Sequence, residues 1–226
     1  MTATAPVAAV LPLFNGRRYI REAIGSILAQ DLRPREIVVV DDGSTDGGGD
    51  LLAGYRDIRV VRQPNAGEAA ARNRGIREST APLIAFLDQD DLWLPRKLAL
   101  QVAALDADSA LDMVFGQHRL IVEDGADWFR QDMLGRVLTA ELPGCMVTRR
   151  ATFERIGPYR EDMRLGSDVD WILRAQDAGA KSRLVEEVIL LRRMHRANSS
   201  IDEPEFMSGL LRAARASVQR KRSKPG

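Results

Sequence analysis

Across 226 residues the chain has one cysteine, Cys145, and two histidines, His118 and His195. A single thiol excludes an internal disulfide and makes a cytosolic setting the natural expectation. Neither sign of charge dominates, with 33 basic and 32 acidic residues, so no global field marks the chain as a nucleic-acid binder. No apolar run approaches the roughly 20 residues needed to span a bilayer. The N-terminus, MTATAPVAAVLPLFNGRR, lacks the basic n-region of a signal peptide and runs straight into a strand-like segment. There is no internal repeat, and no low-complexity tract beyond Gly47-Gly48-Gly49. No Gly-x-Gly-x-x-Gly follows the first apolar run, which argues against a dinucleotide-binding dehydrogenase. These absences leave a cytoplasmic protein without a nucleic-acid partner, whose membrane contact is at most peripheral, through a basic C-terminus.

The apolar patterning predicts an α/β fold. Val7 to Leu13, Glu36 to Val40, Ile58 to Val61 and Leu83 to Leu87 are short runs that read as strands, and Glu36 to Val40, apolar throughout, is as expected of a strand covered on both faces in a parallel sheet. Helical spacing recurs between them, over Tyr19 to Leu28 and Glu68 to Glu78, and again over Pro95 to Leu105. Strand-to-helix alternation of this kind predicts a right-handed, Rossmann-like, mostly parallel central sheet with helices on both faces and a ligand site at the strands' carboxyl ends. Met113 to Val122 reads as one or two strands, Thr148 to Ile156 as a short basic helix, Ser167 to Ala178 as a helix closed by Gly179, and Val185 to Leu191 as a late strand. Periodicity fades from Glu123 to Leu142, a candidate substrate loop. The expected organisation is one domain over residues 1–203, in halves 1–110 and 111–203, followed by a basic helix and tail over 204–226.

Chemistry-bearing residues gather where apolar runs stop. Asp88-Gln89-Asp90-Asp91 ends the fourth strand, and three carboxylates in four residues resist desolvation unless a cation joins them. Side chains alternate along a strand, so Asp88 and Asp90 reach a common point only if the chain turns at Asp91-Leu92. The competing reading makes Asp90 or Asp91 the cap of the next helix, which accounts for one aspartate only. Asp41-Asp42-Gly43-Ser44 ends the second strand; it reads either as a tight turn with Ser44 or Thr45 capping a helix, or as a carboxylate for a base N–H or a ribose hydroxyl. Ser167 with Asp170 three residues on has capping-box spacing. Trp93 and Trp171 are core or site-flanking aromatics, and Cys145 reads as a small buried hydrophobe.

Four ordered stretches, VLPLFNGRRYIREAIGSILAQ, EIVVVDDGSTD, NAGEAAARNRGI and IAFLDQDDLWLPRKL, together resemble the family 2 glycosyltransferases of the GT-A fold. The resemblance is close over Val7 to Leu105 and returns in scattered motifs from Gly144 to Ser200. It implies a nucleotide-diphosphate sugar donor, UDP-linked, in a site that includes Pro12 and Gln89. Asp42 would meet the uracil or ribose, Asp88 the ribose side, and Asp90 a divalent metal, Mn²⁺ or Mg²⁺, bridging the diphosphate. Arg72 or Arg74 would be available to the phosphates, unless each is an exposed helix charge. Family members commonly show Glu-Asp where this chain has Ser167-Asp168, and the resemblance makes Asp168 the general base, with Asp170 the fallback. Arg193-x-His195-x-x-Asn198-x-Ser200 resembles the Arg-x-His-x-x-Asn-x-Ser ending of many members, which places His195 on the metal or diphosphate and Arg193 on the diphosphate.

The function implied is metal-assisted, inverting transfer of a sugar to an acceptor hydroxyl, a single displacement needing one base. Two rival readings stand beside it: a nucleotide-sugar-binding module that has lost catalysis, hinted at by Ser167, and an Asp-x-Asp phosphatase. The phosphatase motif expects Thr or Val where Asp91 stands, and lies on the first strand of its fold. Nothing in the sequence names the acceptor, which remains open among a saccharide, a lipid-linked glycan, a peptide and a small natural product; short length and missing membrane helices argue against processive polysaccharide synthesis.

Overall fold

A computed structural model describes residues 4–123, 129, 131–198 and 203–223. The strands are β1 (Thr4–Leu13), β2 (Arg33–Asp41), β3 (Arg59–Arg62), β4 (Leu83–Phe86), β5 (Leu92–Trp93), β6 (Met113–Val122), β7 (Val137–Leu138), β8 (Met146–Arg149) and β9 (Ser182–Met194). The α-helices are α1 (Ile20–Leu28), α2 (Glu68–Glu78), α3 (Lys97–Ala107), α4 (Arg150–Ile156), α5 (Ser167–Asp177) and α6 (Glu203–Arg222). They surround one sheet of order β3-β2-β1-β4-β8-β6-β9-β5, with β7 added to β6. The half β3-β2-β1-β4 is parallel throughout. Antiparallel β8 joins it to the second half, where β6 and β9 again run parallel.

The continuous apolar runs are explained by burial on two faces. Val7, Ala9, Leu11 and Leu13 of β1 pack with Ile20, Ile24 and Ile27 of α1 and Leu98 and Val102 of α3. Val10, next to them in sequence, joins Phe86 of β4, Phe153 of α4 and Trp171 of α5 on the opposite face. Alternation by two therefore divides β1 between two cores. Gly75 fixes the seat of α2 on β1, because a Cβ there would stand 2.3 Å from Val10 Cγ1. Trp171 is a core residue: it is fully buried, stacks on Phe153 at 4.2 Å and donates to the Gly157 carbonyl at 2.9 Å. Trp93 is likewise buried, donating to the Phe86 carbonyl at 3.2 Å.

Several local expectations are corrected. Met146–Arg149 is a strand, and the basic helix begins only at Arg150. The third helix starts at Lys97, two residues after Pro95, and Arg96 is its N-cap, so neither Asp90 nor Asp91 caps it. Gly166 is the N-cap of α5, with no side-chain cap, and the Asp170 carboxylate turns instead to Arg174 Nε at 2.8 Å, which removes the capping box. Ser44 Oγ caps no helix and accepts the Asn15 N–H at 3.0 Å. Within the expected substrate loop, Val137–Leu138 pairs with β6, and residues 124–128 and 130 lie outside the described residues. Ser200 and the last three residues of the tail also lie outside them.

Lys97 is fully buried at the start of α3, its Nζ donating to Gln101 Oε1 at 2.7 Å. Burial pushes its ammonium down from the ordinary 10.5 to about 7. Between those values the unfolded chain holds more protons at this position than the native one, so native stability rises with pH across the window and is lost as pH falls through 7. Lys97→Met removes that slope. Its advantage over the wild type in urea midpoint should shrink between pH 7.5 and 9.5, by at most about 2.7 kcal/mol for one proton over two pH units; parallel pH profiles would contradict a neutral buried lysine.

Candidate active site

The carboxyl ends of β1, β2 and β4 open into a cleft of about 870 Å³. Each strand's exit is tied to another's. The Gln89 side chain accepts the Phe14 N–H at 2.8 Å and donates to the Phe14 carbonyl at 3.0 Å, clamping the end of β1 to the turn after β4. Asn15, in the left-handed region at φ 50°, accepts the Thr45 N–H at 2.9 Å and so joins that loop to the end of β2. Asp42 is buried, and its carboxylate accepts from Gln63 Nε2 at 2.8 Å, the Ala66 N–H at 2.9 Å and the Gly67 N–H at 2.8 Å. A carboxylate offers about four lone-pair positions. Three donors therefore leave it capacity for one more, on a residue that lines the cleft.

The acidic cluster after β4 turns on itself, with the Asp91 N–H on the Asp88 carbonyl at 3.1 Å. Each of its carboxylates is balanced differently. Asp88 faces the buried guanidinium of Arg72 at 2.7 Å, and the same guanidinium pairs with Glu68. Asp90 meets His195 Nε2 at 2.8 Å and Asn198 Nδ2 at 3.2 Å. The Ala197 N–H donates to His195 Nδ1 at 3.2 Å, so Nε2 carries the proton that Asp90 accepts. Tyr19 stacks on the His195 ring at 4.8 Å and fixes its plane. Asp91 is buried and accepts the Arg193 N–H at 2.8 Å. Burial and then the Asp88 charge raise the Asp90 carboxyl above its ordinary range. Asp91 is raised well above, by burial and then by Asp90 and Asp88. Glu68 keeps part of its surface open to the cleft, yet it is pushed up to about 7 by the protein packed around it and by the charges of Asp88, Asp168 and Asp90, against the pull of Arg72.

Asp168, in the first turn of α5, lines a smaller cavity of about 90 Å³. Glu68, Asp88, Asp91, Arg164, Leu165 and Arg192 border both spaces, which makes the two one continuous site. Asp170, the alternative base, borders neither; it is fully buried against Arg174. Pro12, Asp42, Asp88, Gln89, Asp90 and His195 all border the large cleft. Arg72 and Arg193 are placed otherwise. Arg72 borders only the smaller cavity and is committed to its two carboxylates. The Arg193 guanidinium reaches the Asp90 carbonyl at 2.9 Å and Glu22 at 2.7 Å, and its neighbour Arg192 faces the cleft in its place. Arg74 pairs with Glu78. Sequence reasoning missed Arg192, Tyr19, Phe14 and Glu68. The alternation of β9 was the signal for Arg192, since adjacent strand residues face opposite ways.

A divalent cation fits this donor set only with help. Among the described residues no three His, Cys, Asp or Glu side chains stand together as a metal site. Asp90 offers a carboxylate, and His195 would offer Nε2 once its proton moves to Nδ1, a set suited to Mn²⁺ or Mg²⁺ when substrate phosphates supply the other oxygens. A cation beside Asp90 would offset the burial and the Asp88 charge that raise its carboxyl.

A sheet with a wholly parallel half, helices on both faces and an acidic cleft at the strand ends defines the GT-A architecture. The family model described as Glycosyl transferase family 2 matches residues 8–172, and the chain belongs to that family. An uncharacterized glycosyltransferase of Rickettsia felis is 32% identical over 214 residues, covering 86% of this chain and 35% of its own. The succinoglycan biosynthesis protein ExoU of Rhizobium meliloti is 33% identical over 213 residues, covering 82% of this chain and 61% of its own. Two solved structures share the fold. S. aureus TarS 1-349 in complex with UDP has a TM-score of 0.69 at 22% identity, covering 92% of this chain and 64% of that one. The mannosyltransferase PcManGT of Pyrobaculum calidifontis, in complex with GDP-Man and Mn²⁺, has a TM-score of 0.72 at 21% identity, covering 96% and 65%. The chain thus spans less than two thirds of each of these proteins.

Arg72 is a buried cation shared by two carboxylates of the site, Asp88 and Glu68. Arg72→Met should destabilise the fold by about 3 kcal/mol, the low end for breaking a buried pair because Asp88 and Glu68 keep 35% and 40% of their side chains exposed. Urea unfolding checks this; an unchanged midpoint would show that the two carboxylates do not need it.

Proposed function

We propose that the chain transfers a sugar from a UDP-linked donor to an acceptor hydroxyl, with inversion at the anomeric carbon and the assistance of Mn²⁺ or Mg²⁺. One observation carries this reading: the cleft holding Asp42, Asp88, Asp90 and His195 shares a wall with the cavity holding Asp168. A donor laid along the first puts its reacting carbon beside the second. The bound UDP of TarS and the GDP-Man and Mn²⁺ of PcManGT support a nucleotide-sugar and a cation on this fold.

In this reading Asp42 uses its remaining lone pair on the base N–H or the ribose. Phe14, 46% exposed at the cleft, offers a face for the base. Pro12 and Gln89 shape the floor, and Asp88, oriented by Arg72, takes a ribose hydroxyl. Asp90 and His195 would hold the cation, which when bound neutralises charge on the departing diphosphate. Arg192 faces the same charge.

Asp168 takes the acceptor's hydroxyl proton as the acceptor oxygen bonds to the anomeric carbon, and the electron pair of the broken carbon–oxygen bond leaves with the diphosphate. Glu68 and Asp88 are engaged by Arg72, which disfavours either as a covalent nucleophile and supports single displacement. Leu142, Pro143, Gly144 and the 164–166 segment wall the Asp168 cavity, in keeping with an acceptor site there.

The test is a donor-hydrolysis screen over UDP-, GDP- and TDP-sugars with Mn²⁺ and with EDTA. Release of UDP that EDTA abolishes is expected; no release from any donor overturns the proposal. Asp168→Asn should lower transfer about 10²- to 10³-fold while UDP still binds; undiminished turnover removes Asp168 from the base role. Asp90→Ala should abolish the Mn²⁺-dependent part of UDP affinity in calorimetry, and a retained Mn²⁺ dependence would move the cation elsewhere.

A further inference from the structure

The helix α6 lies beyond residue 172, where the family match ends, yet it closes one side of the cavity that holds Asp168. Phe206, half-buried in the first turn of α6, lines that cavity. Three residues on, Gly209 brings the helix backbone onto the approach to α5. A Cβ at Gly209 would stand 2.3 Å from the Leu165 carbonyl oxygen, and one at Gly166, where φ is +80°, would stand 2.9 Å from the Gly209 carbonyl carbon. At its far end α6 is locked to α5 by charge. Asp177 accepts from Ser217 Oγ at 3.0 Å and Arg220 Nε at 2.8 Å, and Arg220 Nη1 lies 3.9 Å from the fully buried Asp170, two residues after Asp168. Backbone contact at one end and ion pairs at the other hold Phe206 in a fixed relation to the helix that carries Asp168.

The cavity so completed has two kinds of wall. Phe206, Leu142, Pro143 and Leu190 supply apolar lining, and Asp168, Arg164 and Arg192 are among the residues that supply charge. A pyranose has the matching surface, with a C–H face that packs on an aromatic ring and hydroxyls at its rim for charged groups. We propose that Phe206 is a specificity-determining residue of the acceptor subsite, holding the C–H face of a pyranose so that a hydroxyl is presented to Asp168. This rests on the reading of Asp168 as the acceptor-side base.

The test uses saturation-transfer NMR on the full chain, with the methyl glycosides of glucose, galactose and mannose as probes, in the presence of UDP and Mn²⁺. At least one glycoside should bind the wild type. Phe206→Ala should weaken that Kd at least tenfold relative to the Kd of UDP in the same samples, and Phe206→Tyr should restore it to within about threefold. Three results would overturn the inference: no glycoside bound by the wild type, a glycoside affinity unmoved in Phe206→Ala, or parallel loss of glycoside and UDP affinity. Should the wild type bind a glycoside through Phe206 and yet fail to bind UDP, the donor assignment falls and the pyranose subsite stands.

Discussion

Everything in the cleft is arranged around an excess of negative charge at the carboxyl ends of parallel strands. Four carboxylates, Asp42, Asp88, Asp90 and Asp91, share that edge, and charge of one sign confined there opposes folding unless each is answered. The answers differ in kind. Backbone N–H groups of Ala66 and Gly67 serve Asp42, a buried guanidinium serves Asp88, and a single peptide N–H from β9 serves Asp91. Asp90 has an imidazole and a side-chain amide. Both are held in turn, the ring by Tyr19 and the Ala197 N–H and the amide by the Arg193 carbonyl and the His195 N–H, so the cleft meets Asp90 through a set of partners already in place.

The fold supplies this arrangement at little local cost because the core is divided between two faces of the sheet. Odd and even residues of β1 pack on different helices, so the strands are held from both sides and their ends are free to carry polar loops. Close seating of α2 through Gly75 brings Arg72 to the strand edge, where a helix set further out could not reach Asp88. The smaller cavity arises in the same way, with α5 packed against the sheet through Trp171 and α6 packed on α5.

Much of this is legible in the sequence and the remainder has identifiable physical reasons for being hidden. EIVVV and LIAFL announce buried parallel strands because such short apolar runs suit two-sided burial, and the acidic residues that follow each run mark the edge where the cleft opens. Met146–Arg149 is concealed because it flows without a break into the helical pattern of α4, and Leu92–Trp93 is too short to show a period. The cap proposed at Asp91 fails because the Arg193 N–H claims its carboxylate, and the capping box at Ser167 fails because Gly166 is the N-cap and Arg174, four residues on in the same helix, takes the Asp170 carboxylate. Of the adjacent Arg192 and Arg193, composition cannot say which faces the cleft; that follows from the register of β9 on β6. Phe206 offers no local signal, since its place depends on how α6 meets the turn before α5.

The bonds that close the site are long in sequence. Gln89 reaches back 75 residues to Phe14, while Asp91 and Asp90 wait 102 and 105 residues for Arg193 and His195. A chain emerging from the ribosome has therefore made its parallel half, helices and all, well before β9 exists to quiet the acidic turn. High sequence separation of this kind slows the last step of folding. Until then the nascent protein carries a repelling knot of carboxylates in the position where the finished one carries a binding site.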